Sequence, residues 1–416
     1  MEKAEDAEVN DTTFDKLMKP IESKVASIEA SRTPHHREVL SFSAFVRLLV
    51  YYFMMPNGSG RQLLTDVLSA APELGLEPVK RSTFFEAFNR FPVVWFQMLL
   101  ENVLKVTRWP SIPEMDALGR LYCIDGSLFP AMTKMVWAEY KSKSQAIKLH
   151  LCFELNRMVA VEFLVDAGNS CERDALRQML TAGVTYIADR GYVCFQLLAD
   201  IIAAEAHFVI RMKSNLVYSM VETLPVELPE VVQHIFTQVS DQRICLTGAV
   251  NKPTYRLVCF AVGSESYLIL TDRLDLTTFQ VILIYAYRWQ VELVFRFLKR
   301  TLTGLHLLST TKEGVTIQFY LLLATALLQL HLKQECVAAT ETDLLLAVDK
   351  ANPIETIPGL MVQPESLRSA RGQTFLATVG SKLHRYWKIG IHWLITLRNL
   401  LARPFDQQAI RLLGTT

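Results

Sequence analysis

The segment from Tyr285 to Lys299 constrains this chain most, because a helical pattern there gathers a few polar residues on one side. At ~100° per residue, Arg288, Glu292 and Lys299 lie ~300°, ~340° and ~320° round from Tyr285. These four side chains fall within an arc of ~60°, and Arg296 lies beside it, ~20° round from Tyr285. We therefore predict a helix from about residue 277 to 302 that presents one carboxylate among several cations.

The remaining positions of this helix are apolar, which predicts that it is buried. A buried carboxylate among cations is costly unless other groups neutralise the set. A divalent metal ion beside Glu292 and phosphates beside the cations would do so, and the segment therefore predicts half of a phosphoryl-transfer site. The alternative for Glu292 is a surface ion pair with Arg288 and Arg296, four residues away on either side.

Two aspartates follow short apolar runs that read as strands. Asp125 follows Leu121–Ile124, and Asp189 follows Val184–Ala188. Strand ends gather functional residues because the strand fixes them while the loop stays accessible. The alternative is that each aspartate is an ordinary turn or cap residue. Other acids also lie on nearby strands or loops, namely Glu154, Glu162, Asp166 and Asp174.

An oxygen-only ligand set made of Asp125, Asp189 and Glu292 would favour a hard cation. Mg²⁺ is the expected metal, with Mn²⁺ as a possible substitute. Two such ions can activate an attacking oxygen and stabilise the leaving one in an in-line displacement. The predicted chemistry is therefore metal-dependent phosphoryl transfer, in which catalysis is mainly positioning and charge neutralisation.

The charge balance does not by itself predict a polyanionic partner. The chain has 416 residues, with 43 basic and 42 acidic side chains and a formal net charge of +1. A nucleic-acid site would have to be a local patch, such as residues 366–405, which carry seven Lys/Arg and no Asp/Glu. A solvated basic face is the alternative for that patch.

Cysteine usage and hydropathy exclude several other classes. The seven cysteines are scattered without a C-x-x-C pair, which indicates a reduced intracellular protein without a zinc site or a disulfide framework. The charged N-terminus lacks the apolar core of a signal peptide. The apolar run Val315–Leu330 is shorter than the ~20 residues that span a bilayer, so we expect a buried core helix rather than a membrane anchor.

The changes of periodicity divide the chain and predict an α/β fold: a mixed sheet flanked by helices, with an inserted β-rich subdomain and helical N- and C-terminal regions. After Asp125 the expected order is a β-hairpin, then α, β, α, β. The expected segments are a polar leader with some helix (1–35), a helical DNA-binding domain (36–115), a first part of the catalytic core (116–212), a β-rich insertion (213–275), a second part with the glutamate helix (276–334) and a helical C-terminal region (335–416).

These motifs carry a family resemblance. Asp125-Gly-Ser, Asp189-Arg-Gly-Tyr and the Tyr285, Arg288, Glu292 and Lys299 spacing resemble the DDE transposases of bacterial insertion sequences, specifically the insertion sequence 4 family. The resemblance extends from about Phe42 to Leu330. It implies an RNase H-like catalytic core of the retroviral-integrase superfamily.

The resemblance also implies roles for individual residues. Asp125, Asp189 and Glu292 would be the catalytic metal ligands. The residues expected to contact DNA are Tyr285, Arg288, Lys299, Arg296 and Arg190, with Trp289 stacking on a displaced base; core packing is the alternative for Trp289. Arg190 is a weaker candidate than the others for DNA contact, as are Lys148, Arg211 and Lys213.

The function implied is that of a cut-and-paste DNA transposase. It would hydrolyse the phosphodiester at the ends of the element and join the freed 3′-hydroxyl to target DNA. The partners implied are double-stranded DNA, bearing the terminal inverted repeats or the target, and a second copy in a homodimer on paired ends, within the bacterial cytoplasm. Three alternatives stay open: an RNase H-like nuclease, a catalytically silent DNA-binding protein descended from a transposase, and a membrane-associated protein built on residues 315–330.

Overall fold

The structure is a computed structural model that describes residues 13–54, 59–70, 76, 78–107, 109, 113–142, 144–233, 235–249, 251–301 and 306–338. The described helices are α1 (Thr13–Ser31), α2 (Phe42–Met54), α3 (Gly60–Ala70), α4 (Arg81–Arg90), α5 (Val93–Val106), α6 (Pro113–Asp116), α7 (Glu172–Gln178), α8 (Phe195–Ala203), α9 (Thr278–Tyr287), α10 (Trp289–Thr301) and α11 (Lys312–Ala338). The described strands are β1 (Arg120–Pro130), β2 (Glu139–Lys141), β3 (Ser144–Glu154), β4 (Val159–Ala167), β5 (Val184–Ala188), β6 (His207–Arg211), β7 (Ser219–Thr223), β8 (Thr237–Cys245), β9 (Thr254–Val262) and β10 (Glu265–Thr271). These elements divide into two compact units, one of α1–α5 with α11 and the other of α6–α10 with the sheet.

The first unit is a helical bundle with an aromatic core. The rings of Phe42, Phe45, Phe88 and Phe96 are buried, and the centroids of Phe45 and Phe88 lie 5.0 Å apart in an edge-to-face arrangement. Such pairs add to the apolar burial itself. The helical pattern predicted between residues 42 and 106 is therefore present as α2 to α5.

Part of the expected polar leader is a packed helix. Leu17, Ile21, Val25 and Ile28 of α1 are all buried, and they recur at the spacing of one helical face. The sequence analysis expected only some helix in residues 1–35, because the charged residues between these positions hide the apolar stripe. Residues 1–12 lie outside the described part of the chain.

The apolar helix near the end of the described chain is longer than the sequence predicted. The stretch Lys312–Leu332 of α11 is long and apolar enough to cross a membrane by length and composition, so the length argument used on residues 315–330 was wrong. However, 61% of the tested window is buried inside the protein. Because α11 packs against α5, α2 and α1, its burial rather than its length supports a core helix.

The second unit is built on one mixed sheet. Its strand order is β2-β3-β1-β5-β6-β10-β9-β8-β7, and β4 pairs with β3. β3 lies antiparallel to β1 and β4, whereas β5 lies parallel to β1 and β6. The predicted succession of strand, hairpin, helix, strand, helix and strand is confirmed by β1, β3–β4, α7, β5, α8 and β6. The mixed α/β class, a mixed sheet flanked by helices, is confirmed.

The β-rich segment continues this sheet. β7 to β10 form an antiparallel run, and β10 pairs with β6 through Ile269 opposite Arg211. The predicted insertion therefore adds strands to the edge of the core by backbone hydrogen bonds. The C-terminal region 335–416 lies outside the described residues except for the last four positions of α11.

A buried ion pair attaches this segment to the start of α9. Arg256 on β9 bonds Asp241 on β8 through two contacts of 2.6 and 2.9 Å, and it donates to the carbonyl of Leu276. The hydroxyl of Thr278 donates to the same carboxylate over 2.7 Å. This network holds the first turn of α9 against the sheet. α9 in turn leads directly into the glutamate-bearing α10.

Helices cover both faces of the sheet. Leu176 of α7 and Leu197 of α8 pack with Ile124, Tyr186 and other buried residues of one face. α9 packs on β5, β6, β9 and β10. Since successive side chains of a strand point to opposite faces, Cys123 and Asp125 lie on the face away from α7 and α8.

Candidate active site

The two predicted aspartates lie side by side at the centre of the sheet. β1 and β5 are parallel neighbours, with Cys123 opposite Ile187. Continuing this register places Asp125 level with Asp189 and on the same face. One expectation was wrong, because Asp125 does not end its strand: β1 runs on to Pro130, paired with β3. Only the parallel pairing with β5 ends at Cys123.

Each aspartate is oriented by a backbone amide that follows it. The amide of Gly126 donates to Asp125 Oδ1 over 2.8 Å, and the amide of Gly191 donates to Asp189 Oδ1 over 2.7 Å. A carboxylate has about four acceptor positions, so both groups keep capacity for further ligands. The predicted pair is therefore brought together and held in a defined orientation.

The charge of Asp125 is poorly compensated at this site. Burial raises the pKa of Asp125 to about 6, the Gly126 amide and Arg288 act in the opposite direction, and the charges of Asp189 and Glu172 raise it further. Like charges held together in a partly buried position favour the binding of a cation. An oxygen-only pair of this kind fits a hard divalent ion.

Glu292 does not join the aspartates. Its carboxylate accepts a 2.8 Å bond from Arg288 Nη2, which is the ion-pair alternative considered from the sequence. Among the described residues, no three His, Cys, Asp or Glu side chains lie at metal-binding spacing. The structure thus assembles two of the three predicted ligands, and Arg288 holds the third.

The predicted single helix is broken at Arg288. α9 ends at Tyr287 and α10 begins at Trp289. The Arg288 amide bonds the Tyr285 carbonyl, and the Val291 amide bonds the Arg288 carbonyl, so the chain tightens to three-residue bonds at this point. No glycine or proline marks the break, so no local pattern predicted it.

Arg288 is the electrostatic link between the aspartates and the glutamate. Its guanidinium lies 5.9 Å from the centre of the buried Tyr285 ring. Burial disfavours its charge, but Tyr285, Glu292 and Asp125 outweigh burial and raise the pKa of Arg288. The guanidinium is planar and permanently charged. Its donors fit a phosphate group as well as they fit a carboxylate.

Of the other residues predicted to contact DNA, the structure describes the side chains of Trp289 and Arg190. Trp289 is 39% exposed, so simple core packing does not account for it. The side chains of Arg296 and Lys299 lie outside the described residues, and their roles stay predictions. Arg190 is exposed and lies directly after Asp189.

A basic cleft adjoins the ends of β5 and β6. It has a volume of about 490 Å³ and is lined by three cations and one acid, together with Met212, Ser214, Asn215, Ser266 and Leu268. The cations are Arg190, Arg211 and Lys213, and the acid is Glu265, which lies 3.6 Å from Arg211. The guanidinium of Arg211 stacks 4.4 Å over the Tyr267 ring. The three weakly predicted cations at this edge are thus gathered beside Asp189.

Two further residues belong to the site. The sequence analysis missed Glu172, and it named Lys148 only as a weaker candidate for DNA contact. Glu172 opens α7, and Lys148 on β3 pairs with it at 2.8 Å. An acid in the first turn of a helix is common for reasons of local stability, so Glu172 carried no signal. Asp166 pairs across from Lys148, so it lies on the same face of the sheet as Lys148, opposite Asp125.

Comparison with known proteins decides the family. Residues 116–328 match the family model described as the transposase DDE domain. The chain belongs to the DDE transposase domain family. This confirms the resemblance at the level of DDE transposases, while the narrower insertion sequence 4 family stays a prediction. Family membership also implies dependence on a divalent metal.

Curated relatives of this DDE family member are named as transposases. The chain is 26% identical over 224 residues to "Putative transposase y4zB" of Sinorhizobium fredii (strain NBRC 101917 / NGR234), covering 52% of this chain and 62% of that one. It is 22% identical over 279 residues to "Probable transposase for insertion sequence element IS5377" of Geobacillus stearothermophilus, covering 66% and 73%. The chain thus spans less than two thirds of the first of these relatives.

A solved structure also aligns with this DDE family member. It is a piggyBac transposase synaptic complex with hairpin DNA, aligned over 86% of each chain at 12% identity and a TM-score of 0.37. That likeness is too remote to argue from. The family assignment therefore depends on the sequence match over residues 116–328 and on the geometry of the two aspartates.

Proposed function

We propose that this protein is a cut-and-paste DNA transposase. It cleaves the phosphodiester at the ends of a mobile element and transfers the freed 3′-hydroxyl into target DNA. The single observation that carries the proposal is the pair Asp125 and Asp189, level on adjacent parallel strands within the region that matches the DDE family. A pair of oriented carboxylates beside basic residues suits the reactions of a phosphodiester.

The chain's own groups would divide the work as follows. Asp125 and Asp189 would hold a divalent ion, Mg²⁺ or Mn²⁺, and Glu292 would complete the set once Arg288 turns to DNA phosphate. When bound, such an ion lowers the barrier by activating the attacking oxygen and neutralising charge on the leaving one. Tyr285 and Arg288 would position the phosphate backbone next to the aspartates.

DNA binding would extend beyond the acidic centre. The cleft of Arg190, Arg211 and Lys213 supports backbone contacts at the ends of β5 and β6. Lys299 and Arg296 would add further phosphate contacts, and Trp289, partly exposed, would stack on a displaced base. We further propose that the helical region 36–115 binds the terminal inverted repeats, and that the protein acts as a homodimer in the cytoplasm without a membrane.

The Arg288–Glu292 pair favours one other reading, that of a catalytically silent DNA-binding descendant. A glutamate neutralised by an arginine does not need a metal. Wild-type protein that binds element ends but never nicks them in Mg²⁺ would establish this alternative. An RNase H-like nuclease would nick the ends without producing strand-transfer products.

The test uses labelled duplexes that carry the inverted repeats flanking the gene, with the full chain in Mg²⁺. Asp125→Ala, Asp189→Ala and Glu292→Ala are each expected to abolish cleavage and strand transfer while leaving binding of the ends largely intact. Asp174→Ala is the matched control, because that acid of α7 is exposed and pairs with Arg177. Full cleavage by any of the first three variants removes that residue from the centre.

A further inference from the structure

Glu172 and Lys148 form an ion pair against the backbone of the acidic centre. Lys148 Nζ lies 2.8 Å from Glu172 Oε1, and both side chains are mostly shielded from solvent. Lys148 belongs to β3 and Glu172 opens α7. The pair therefore joins the strand beside β1 to the helix that precedes β5.

The glycines that follow the two aspartates make room for this pair. A Cβ atom on Gly126 would lie 3.1 Å from both Glu172 Oε1 and Lys148 Cε, and a Cβ on Gly191 would lie 3.5 Å from Glu172 Oε2. The same two glycines donate the amide bonds that orient the aspartates. One carboxylate therefore lies against both backbone segments that hold the metal-binding pair.

Two buried polar atoms lie on the same side of the sheet as this pair. The hydroxyl of Tyr192 and Nδ1 of His150 are fully buried and have no hydrogen-bond partner among the described residues. His150 Nδ1 would lie 3.4 Å from a Cβ on Gly126. The charges of Glu172 and Asp125 act on the Tyr192 hydroxyl. Unpartnered buried polar atoms are costly, and these two lie behind the acidic centre, on the side of Glu172 rather than that of Asp125.

We propose that Glu172 is a positioning residue of this centre. Through its pair with Lys148 it holds the part of β1 around Gly126 and the turn after β5 at the separation that lets Asp125 and Asp189 share one divalent cation. The inference rests on the proposed function in so far as that cation serves DNA cleavage. Outer partners that orient metal ligands typically contribute about 10–100-fold to metal affinity or activity.

The test measures Mn²⁺ binding to the full chain by isothermal titration calorimetry, together with cleavage of element-end duplexes and thermal unfolding. Glu172→Gln keeps the size of the side chain but removes its charge, and Lys148→Met removes the other partner. Both variants should weaken Mn²⁺ binding by about 10–100-fold, with Glu172→Asp in between. Because the pair is partly exposed, Tm should move by no more than about 4 °C.

Asp174→Asn is the matched control, since Asp174 is an exposed acid on the same helix, paired with Arg177. It should leave Mn²⁺ binding unchanged. Unchanged Mn²⁺ affinity in Glu172→Gln overturns the proposal, and so does tighter binding in Lys148→Met, which would mean that the pair acts by charge alone. If Glu172→Gln fails to fold, wild-type affinity in Lys148→Met and Glu172→Asp overturns it equally.

The readouts separate this inference from the proposed function. One outcome is that the wild-type protein binds Mn²⁺, loses this binding in Asp125→Ala, and never cleaves DNA. That outcome would refute the proposed function, while the Mn²⁺ titrations of the Glu172 variants would still decide the role of Glu172. Wild-type protein that cleaves DNA while Glu172→Gln binds Mn²⁺ and cleaves equally well would refute the role of Glu172 alone.

Discussion

Replacing Arg256 by methionine should destabilise the sheet unit severely. The side chains of Arg256 and Asp241 are 5% and 0% exposed, and the guanidinium donates two bonds to the carboxylate and others to backbone carbonyls. Without Arg256, the buried charge of Asp241 keeps only the hydroxyl of Thr278 from this network. Breaking a buried pair by removing one partner costs about 3–5 kcal/mol.

Urea denaturation of the full chain, followed by tryptophan fluorescence and circular dichroism, measures this change. A loss of this size lowers Tm by roughly 6–20 °C for a unit of this length. Arg243→Met is the matched control on the same strand as Asp241. Arg243 pairs with Glu222 at 3.5 Å, but the two side chains are 40% and 54% exposed, so its loss should cost under about 0.5 kcal/mol.

A double variant tests the cause. Adding Asp241→Leu to Arg256→Met removes the unpaired charge, and part of the lost free energy of unfolding should return, since replacing both partners by apolar groups is often neutral. An Arg256→Met cost below about 1 kcal/mol, or one equal to that of Arg243→Met, would refute the reasoning.

Two other predictions concern the acidic centre and DNA. The folded pKa of Asp125, about 6, exceeds the unfolded value of about 4, so the native state binds the extra proton and loses stability as pH rises through this window. Urea denaturation in EDTA should therefore find Asp125→Asn about 2 kcal/mol more stable than wild type at pH 7.5 and nearly equal to it below pH 4; a difference independent of pH contradicts the cause. Lys299→Ala should weaken binding of element ends and reduce the salt slope by about one, as measured by fluorescence anisotropy from low to high salt; an unchanged slope argues against a phosphate contact.

Much of the sheet unit could be predicted because its signals are local. The run Val184–Ala188 became β5 with the predicted bounds, and the β-hairpin expected after Asp125 formed as β3 and β4. Both aspartates were also found from the sequence, since each follows an apolar strand run. Their shared face then follows from parallel pairing, which the order of strands and helices indicated.

The remaining features depend on contacts distant in sequence. β1 continues past Asp125 because β3 pairs with Gly126 and the residues after it, and no local pattern reveals that partner. Glu172 matters only because Lys148 and two glycines meet it in space. The Arg288–Glu292 pair was considered but placed second, because spacing alone does not say whether metal or arginine neutralises the glutamate.

The in-register pairing of β1 and β5 also limits how this chain can tolerate insertions. One residue added within either strand before its aspartate would turn that carboxylate through the sheet to the side of α7 and α8. Length changes in related chains should therefore collect in the loops, or beyond β6, where added strands leave the two central ones untouched. A comparison of gap positions among relatives would therefore identify β1 and β5 as the strands whose register must be kept, even without knowledge of which residues bind the metal.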